Sequence, residues 1–405
     1  MAILHPFRAV RPLSEKAGAV ACVPYDVINT EEARALAEGN PVSFLHVIRP
    51  EIDLPEEIDE HAEVVYDKGA ENLRKFVEAG YTMQEDRPLV YVYRLVMNGR
   101  PQTGIFGCVS VEEYDDDTIL KHELTRPDKE DDRTRHILTQ QAHAEPVMLT
   151  FRDDAEVNRI MEAVTAMPPM FDFTAPDGIR HTVWQVADTG QLVDAFGGVE
   201  RLYVADGHHR CKAASRAAEE MQRLEGGGKE AEYGFFPAVL FPMSQMQILP
   251  YNRIVRKLPT TPSAFLKHLS EQAEVHENVE GPVPQEPGAI RFYLDGSWYG
   301  AVLPPSESDS PVDQLDVARL NEFVLRPVLG IQDPRTDKNL DFVGGIRGTA
   351  ELERLVNSGK AELGISMYPT SIQELIDVSD AGMLMPPKST WFEPKLRSGL
   401  LVHLF

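Results

Sequence analysis

Leu202-Tyr203-Val204-Ala205-Asp206-Gly207-His208-His209-Arg210-Cys211-Lys212-Ala213-Ala214-Ser215-Arg216-Ala217-Ala218-Glu219-Glu220-Met221, followed by Gly226-Gly227-Gly228, reads as strand, tight turn and helix. A short apolar run feeds the Asp-Gly turn, the residues after it are strong helix formers, and the glycines stop the helix. The first backbone N–H groups of a helix have no intrahelical acceptor, and together with the macrodipole they favour an anion. Here Gly207 lets the backbone approach a phosphate, His208, His209 and Arg210 add side-chain donors, and Asp206 stands where it would hold Mg²⁺ or orient a nucleophile. A structural reading of the same residues has Asp206 capping the helix and the histidines solvated or hydrogen-bonded in the core. No Gly-x-x-x-x-Gly-Lys-Ser/Thr occurs, and no Gly-x-Gly-x-x-Gly follows a strand near the box, so neither a P-loop nor a dinucleotide fold is indicated.

Outward from the box, strand and helix patterns alternate irregularly, which predicts a mixed α+β class. Residues 1–29 read as short strands joined by turns, Thr30 to Gly39 as a capped helix, Phe44 to Pro50 as a strand and about Glu57 to Ala79 as an amphipathic helix. Asn98-Gly99 predicts a hairpin between Leu89 to Asn98 and Thr103 to Tyr114. Further strands are expected at Ala144 to Phe151, Thr182 to Ala187 and Phe235 to Phe241, helices at Asp153 to Ala166 and Gln191 to Phe196, and a second hairpin around Asp295-Gly296. The proline-rich cluster Pro259 to Ser263 predicts a division into residues 1–258 and 259–405.

The chain has 405 residues, long enough for more than one core. Its net charge of −24 opposes adhesion to nucleic acid or anionic lipid, so no nucleic-acid and no membrane partner is expected. Three scattered cysteines in no Cys-x-x-Cys spacing predict neither disulfides nor a zinc ribbon. No apolar run approaches a membrane span and no signal core opens the chain, so a cytoplasmic location is expected.

Two other stretches carry chemistry. Lys121 to Arg133 is dense in ionisable groups: Glu123 is a candidate general base, and His122, Thr125 and Arg133 are candidates for the substrate side, although such runs also occur as solvated charged loops. The position four residues after His122 is Arg126, so the helical zinc-protease motif is incomplete. Lys388-Ser389-Thr390 after Pro386-Pro387 is a stiff turn that presents a cation and two hydroxyls to a phosphate, or is simply a surface turn. Asn252 and Arg253, candidates for the substrate side, and Tyr25-Asp26, His46 and Arg49 are weaker signals, each of which also reads as structural.

Taken with Pro24-Tyr25-Asp26-Val27-Ile28, Lys121-His122-Glu123-Leu124-Thr125, Asp132-Arg133 and Met385-Pro386-Pro387-Lys388-Ser389-Thr390, the box resembles the long bacterial and archaeal family related to free-serine kinases, itself similar to the ParB/sulfiredoxin superfamily. The resemblance implies a ParB/sulfiredoxin-like nucleotide-binding core, with the C-terminal region closing onto the site. It implies transfer of the terminal phosphoryl group of ATP or ADP, with Mg²⁺, to the hydroxyl of free L-serine or a related hydroxy compound. On that reading Gly207, His208, His209 and Arg210 hold the phosphates, and Asp206 lies beside the metal or the reacting hydroxyl. A nucleotide-binding regulator and a phosphatase using the same phosphate site are the alternatives.

Overall fold

Asn98 and Gly99 both take positive φ, 51° and 78°, the twist that suits a two-residue hairpin, and they join strands Tyr91–Met97 and Arg100–Ser110. In this computed structural model, which describes residues 1–228, 230–277 and 279–405, the hairpin belongs to an eight-stranded mixed sheet. From edge to edge the strands are Ile119–Leu120, Leu202–Asp206, Val147–Phe151, Phe235–Pro242, Arg100–Ser110, Tyr91–Met97, Arg180–Gln185 and Phe171–Thr174. Leu202–Asp206 runs parallel to Ile119–Leu120 and antiparallel to Val147–Phe151, and Phe235–Pro242 runs parallel to Val147–Phe151. Every residue of Val147–Phe151 and Phe235–Pro242 is buried, which is why these strands read as continuous apolar runs instead of alternating ones.

Helices Ala155–Thr165, Thr189–Phe196 and His208–Glu225 bury Ile160, Phe196, Cys211 and Ala214 in one core with Leu149, Phe151 and Leu240 of the sheet. A second core gathers Val20, Tyr25, Phe44, Ile48, Leu73, Phe76 and Val402. The mixed α+β class expected from the sequence is the class observed. No described helix is long and apolar enough to cross a membrane.

By internal contacts the chain forms two units, Met1–Met246 with Pro394–Phe405, and Gln247–Glu393. The second unit is a six-stranded antiparallel sheet, ordered Glu274–Glu277, Ser297–Val302, Ala289–Leu294, Leu363–Met367, Asn252–Val255 and Leu340–Val343. Its two ends pair with each other, Ile248 opposite Phe392 and Leu249 opposite Trp391, as in a domain inserted between two parts of another. The boundary expected at Leu258 therefore falls inside the second unit, after its strand Asn252–Val255. The proline cluster that pointed there is the start of helix Pro262–Ser270, capped by Thr261 and opened by Pro262.

Other expectations change locally. Phe44 to Pro50 is helical, Leu45–Ile48 running into the turn Pro50–Asp53. A short apolar run does not separate buried helix from strand, and here Asn72 Nδ2 donates to the His46 carbonyl at 2.7 Å while Phe44 packs on Phe76. The next helix starts at Glu63, later than expected. Residues 1–29 contribute one strand, Val10–Pro12, and short helical turns. Half of the charged stretch after Lys121 is the helix Pro127–Gln140, with proline at its first position.

Candidate functional site

The end of Leu202–Asp206 is irregular. Val204 pairs with Leu149 but Asp206 with Met148, a register shift of the bulge type that re-aims the end of a strand. Gly207 follows at φ 99°, ψ 30°, and caps the 18-residue helix His208–Glu225. A Cβ at Gly207 would stand 3.1 Å from Val147 Cγ1 and 3.2 Å from Arg210 Cζ. Gly207→Ala is therefore expected to lose about 1–3 kcal/mol from backbone strain alone. A thermal melt indistinguishable from the parent's would show that the cap tolerates a side chain.

Arg210 folds back beneath this glycine. Its guanidinium donates to the Pro146 carbonyl and lies 3.6 Å from Asp206 Oδ2 and 3.8 Å from Asp26 Oδ2. Burial opposes its charge, but Asp26, Asp206 and Glu145 outweigh burial and hold its pKa above the ordinary arginine value. Lys395, reached 189 residues later in the chain, places Nζ 3.3 Å from the same Asp206 Oδ2. Asp206 is thus a half-buried carboxylate between two fixed cations.

Behind it the charges alternate. Glu145, with a side chain 7 % exposed, lies 3.8 Å from Arg133 and accepts from the Tyr25 amide at 3.1 Å. Burial pushes its pKa up against the pull of Arg210 and Arg133. Arg133 lies 4.0 Å over the Tyr25 ring and 2.7 Å from Asp132 Oδ2. Burial works against the charge on Asp132, yet Arg133, His136 and the Tyr66 hydroxyl bring its pKa down to about 2. Arg133, Glu145 and Arg210 share the lining of a cavity of about 40 Å³, room for ordered water but not for a nucleotide.

The histidines divide. His208 turns inward and meets His122 edge-on, ring centroids 4.4 Å apart at 88°. Burial pushes His122 down to about 4, with the Val204 backbone and Asp206 pulling the other way, and pushes His208 well below the usual imidazole value. His208, expected among the side-chain donors to a phosphate, is a buried ring packed against His122. His209 Nε2 accepts from the Arg126 amide at 3.1 Å, so that nitrogen carries no proton. Thr125 Oγ1 donates to Glu130 Oε1 at 2.5 Å. Glu123 stands with His122 and His208, the ligand atoms of all three within 4.8 Å of one another. Covalent thiol chemistry is unsupported here: burial pushes the Cys211 thiol up to about 12.

Of the remaining sequence candidates, His46 pairs with Asp53 and Arg49 with Glu51 in the first unit, and the others lie in the second unit. Asn252 Oδ1 accepts from the Met367 amide at 3.0 Å, and the buried Arg253 guanidinium donates to the Tyr251 and Lys388 carbonyls. Burial lowers Arg253 to about 10. Both residues, expected on the substrate side, hold their own unit's framework together. Lys388 takes φ 58° with its ammonium 5.5 Å over the Tyr251 ring, and Ser389 Oγ donates to the Pro386 carbonyl at 2.6 Å, with Thr390 following.

Sequence reading passed over Lys395 and Glu145 and weighed Asp26 lightly. A carboxylate just ahead of Pro146 and the apolar run Val147–Phe151 was a signal for Glu145. For Lys395 no local pattern existed.

Residues 4–318 match the family described as "Protein of unknown function (DUF1015)". No curated protein matches the chain. Among solved structures, SbnI with C-terminal truncation from Staphylococcus aureus is similar at 13% identity and TM-score 0.39, covering 74% of this chain and 87% of that one. A free serine kinase in complex with AMP is similar at 12% identity and TM-score 0.36, covering 73% and 91%. A conserved hypothetical protein from Pyrococcus furiosus is similar at 12% identity and TM-score 0.35, covering 73% and 95%.

Proposed function

The chain belongs to the DUF1015 family, and we propose that it transfers the terminal phosphoryl group of a nucleotide to the hydroxyl of free L-serine, forming O-phosphoserine. We read its first unit as a ParB/sulfiredoxin-like core. The observation that carries the reading is Asp206, held between Lys395 at 3.3 Å and Arg210 at 3.6 Å at the glycine-capped start of an 18-residue helix. Phosphoryl transfer asks little covalent help of a protein; it needs in-line positioning, charge neutralisation and a base for the hydroxyl. The helix start and Lys395 attract the phosphates, Arg210 adds a fixed positive field from below, and Asp206 takes the proton. The serine oxygen forms the new P–O bond, the bond from phosphorus to the bridging oxygen breaks, and the shortened nucleotide leaves with that electron pair. The resemblance of the box and its flanking motifs to free-serine kinases supports serine as acceptor and ATP or ADP as donor.

Mg²⁺, which that resemblance implies, demands oxygen ligands in an octahedral shell. Asp206 faces two cations that repel a dication, and the cluster His122, Glu123 and His208 offers one carboxylate against two imidazole nitrogens. These residues do not fit Mg²⁺ held by the protein alone.

The test is an O-phosphoserine assay with ATP, ADP and pyrophosphate as donors. Product is expected with at least one of them. No product with any donor, from folded protein, overturns the reading. Nucleotide binding without turnover would select a regulator, and phosphate release from O-phosphoserine without nucleotide would select a phosphatase.

A further inference from the structure

We propose that His122, Glu123 and His208 hold one divalent transition-metal ion. Two observations converge on this cluster. The ligand atoms of the three side chains lie within 4.8 Å of one another; a shared ion with ligands at ~2.0–2.2 Å sets separations of about 3.3–3.6 Å. His122 and His208 are 1 % and 6 % exposed, and His122 Nδ1, His122 Nε2 and His208 Nε2 are buried without a hydrogen-bond partner. Unpaired buried polar atoms are costly and uncommon, and a cation is what lone pairs on two converging imidazoles would satisfy.

The donor set determines the class of ion. Two imidazole nitrogens and one carboxylate oxygen suit zinc, iron, cobalt or nickel and do not suit Mg²⁺. Three protein ligands leave at least one coordination position open. Glu123, the base expected from the sequence, becomes a ligand, which leaves the proton to Asp206. That the open position takes a phosphate oxygen rests on the phosphoryl-transfer reading; occupancy of the site by an ion does not.

The full chain, stripped with a chelator, would be titrated with Zn²⁺ against a competing chromophoric chelator, and with Co²⁺ while its visible absorption is followed. One equivalent is expected, with cobalt d–d bands, a rise in melting temperature on loading, and no displacement by millimolar Mg²⁺. His122→Ala and His208→Ala should each weaken Zn²⁺ binding by at least about 100-fold, the upper end of what loss of an outer partner alone costs. His46→Ala, at a histidine paired with Asp53, should leave binding unchanged. Glu123→Gln, at a half-buried position, keeps the test valid if a histidine variant fails to fold, and it too should weaken binding. Failure to bind an equivalent of Zn²⁺ or Co²⁺, or parent affinity in the folded variants, overturns the proposal. Metal binding without O-phosphoserine formation would leave the metal site standing and remove the kinase reading instead.

Discussion

Arg210→Ala is expected to destabilise the first unit by about 3–5 kcal/mol, the usual penalty for leaving buried charge without its partner. Read from the box alone, Arg210 is a phosphate ligand whose loss would silence a folded protein. The structure gives it a second role: its guanidinium, 8 % exposed, is the cation shared by Asp206, Asp26 and Glu145. Removing it leaves the buried Glu145 with Arg133 as its remaining cation and the Pro146 carbonyl without its donor. A fall in Tm on the order of 10 °C follows for a unit of this size. Arg210→Lys should recover part of the loss, because an ammonium replaces the charge but not the fork of donors. A melting temperature within about 2 °C of the parent for Arg210→Ala would mean that the carboxylates around it are neutral or solvated.

Asp206→Asn should do the opposite, leaving the fold and removing the chemistry. The amide is isosteric and the side chain 26 % exposed, so the charge lost to Lys395 and Arg210 is partly replaced by solvent. Loss of a positioned general base slows a reaction by about 10²–10⁴-fold. The kinetic signature is a fall in kcat without a rise in KM for nucleotide, because taking a carboxylate away from a phosphate site relieves repulsion there. Turnover within about tenfold of the parent would remove Asp206 from the proton transfer. A rise in KM with kcat unchanged would make it a binding residue.

The two variants separate the part the box plays in stability from the part it plays in the proposed transfer. Strand, glycine and helix were legible because each rests on local physics: the apolar run, the φ of 99° that favours glycine, and the helix formers up to Gly226. The hairpin at Asn98-Gly99 was legible for the same reason. Phe44 to Pro50 was not, since a run of buried apolar residues fits either period and the choice fell to packing against Phe76 and Leu73. Arg133, read for the substrate side, is buried between Asp132 and the Tyr25 ring. Charge density in a sequence does not reveal which charges are neutralised internally.

By itself the sequence determined the strand, glycine turn and helix of the box and the hairpin at Asn98-Gly99, because turn chemistry, capping and hydrophobic period act over a few residues. Tertiary structure alone decided which way His208 faces, that His122 and Glu123 meet it, and that Lys395 joins Arg210 as a second cation beside Asp206. Those contacts join residues scores of positions apart: strand Leu202–Asp206 lies beside Ile119–Leu120, and residues 394–405 return to the first unit after the whole of the second. Closing such loops is settled by burial summed over an entire core, to which the sequence around any one of these residues contributes only a part.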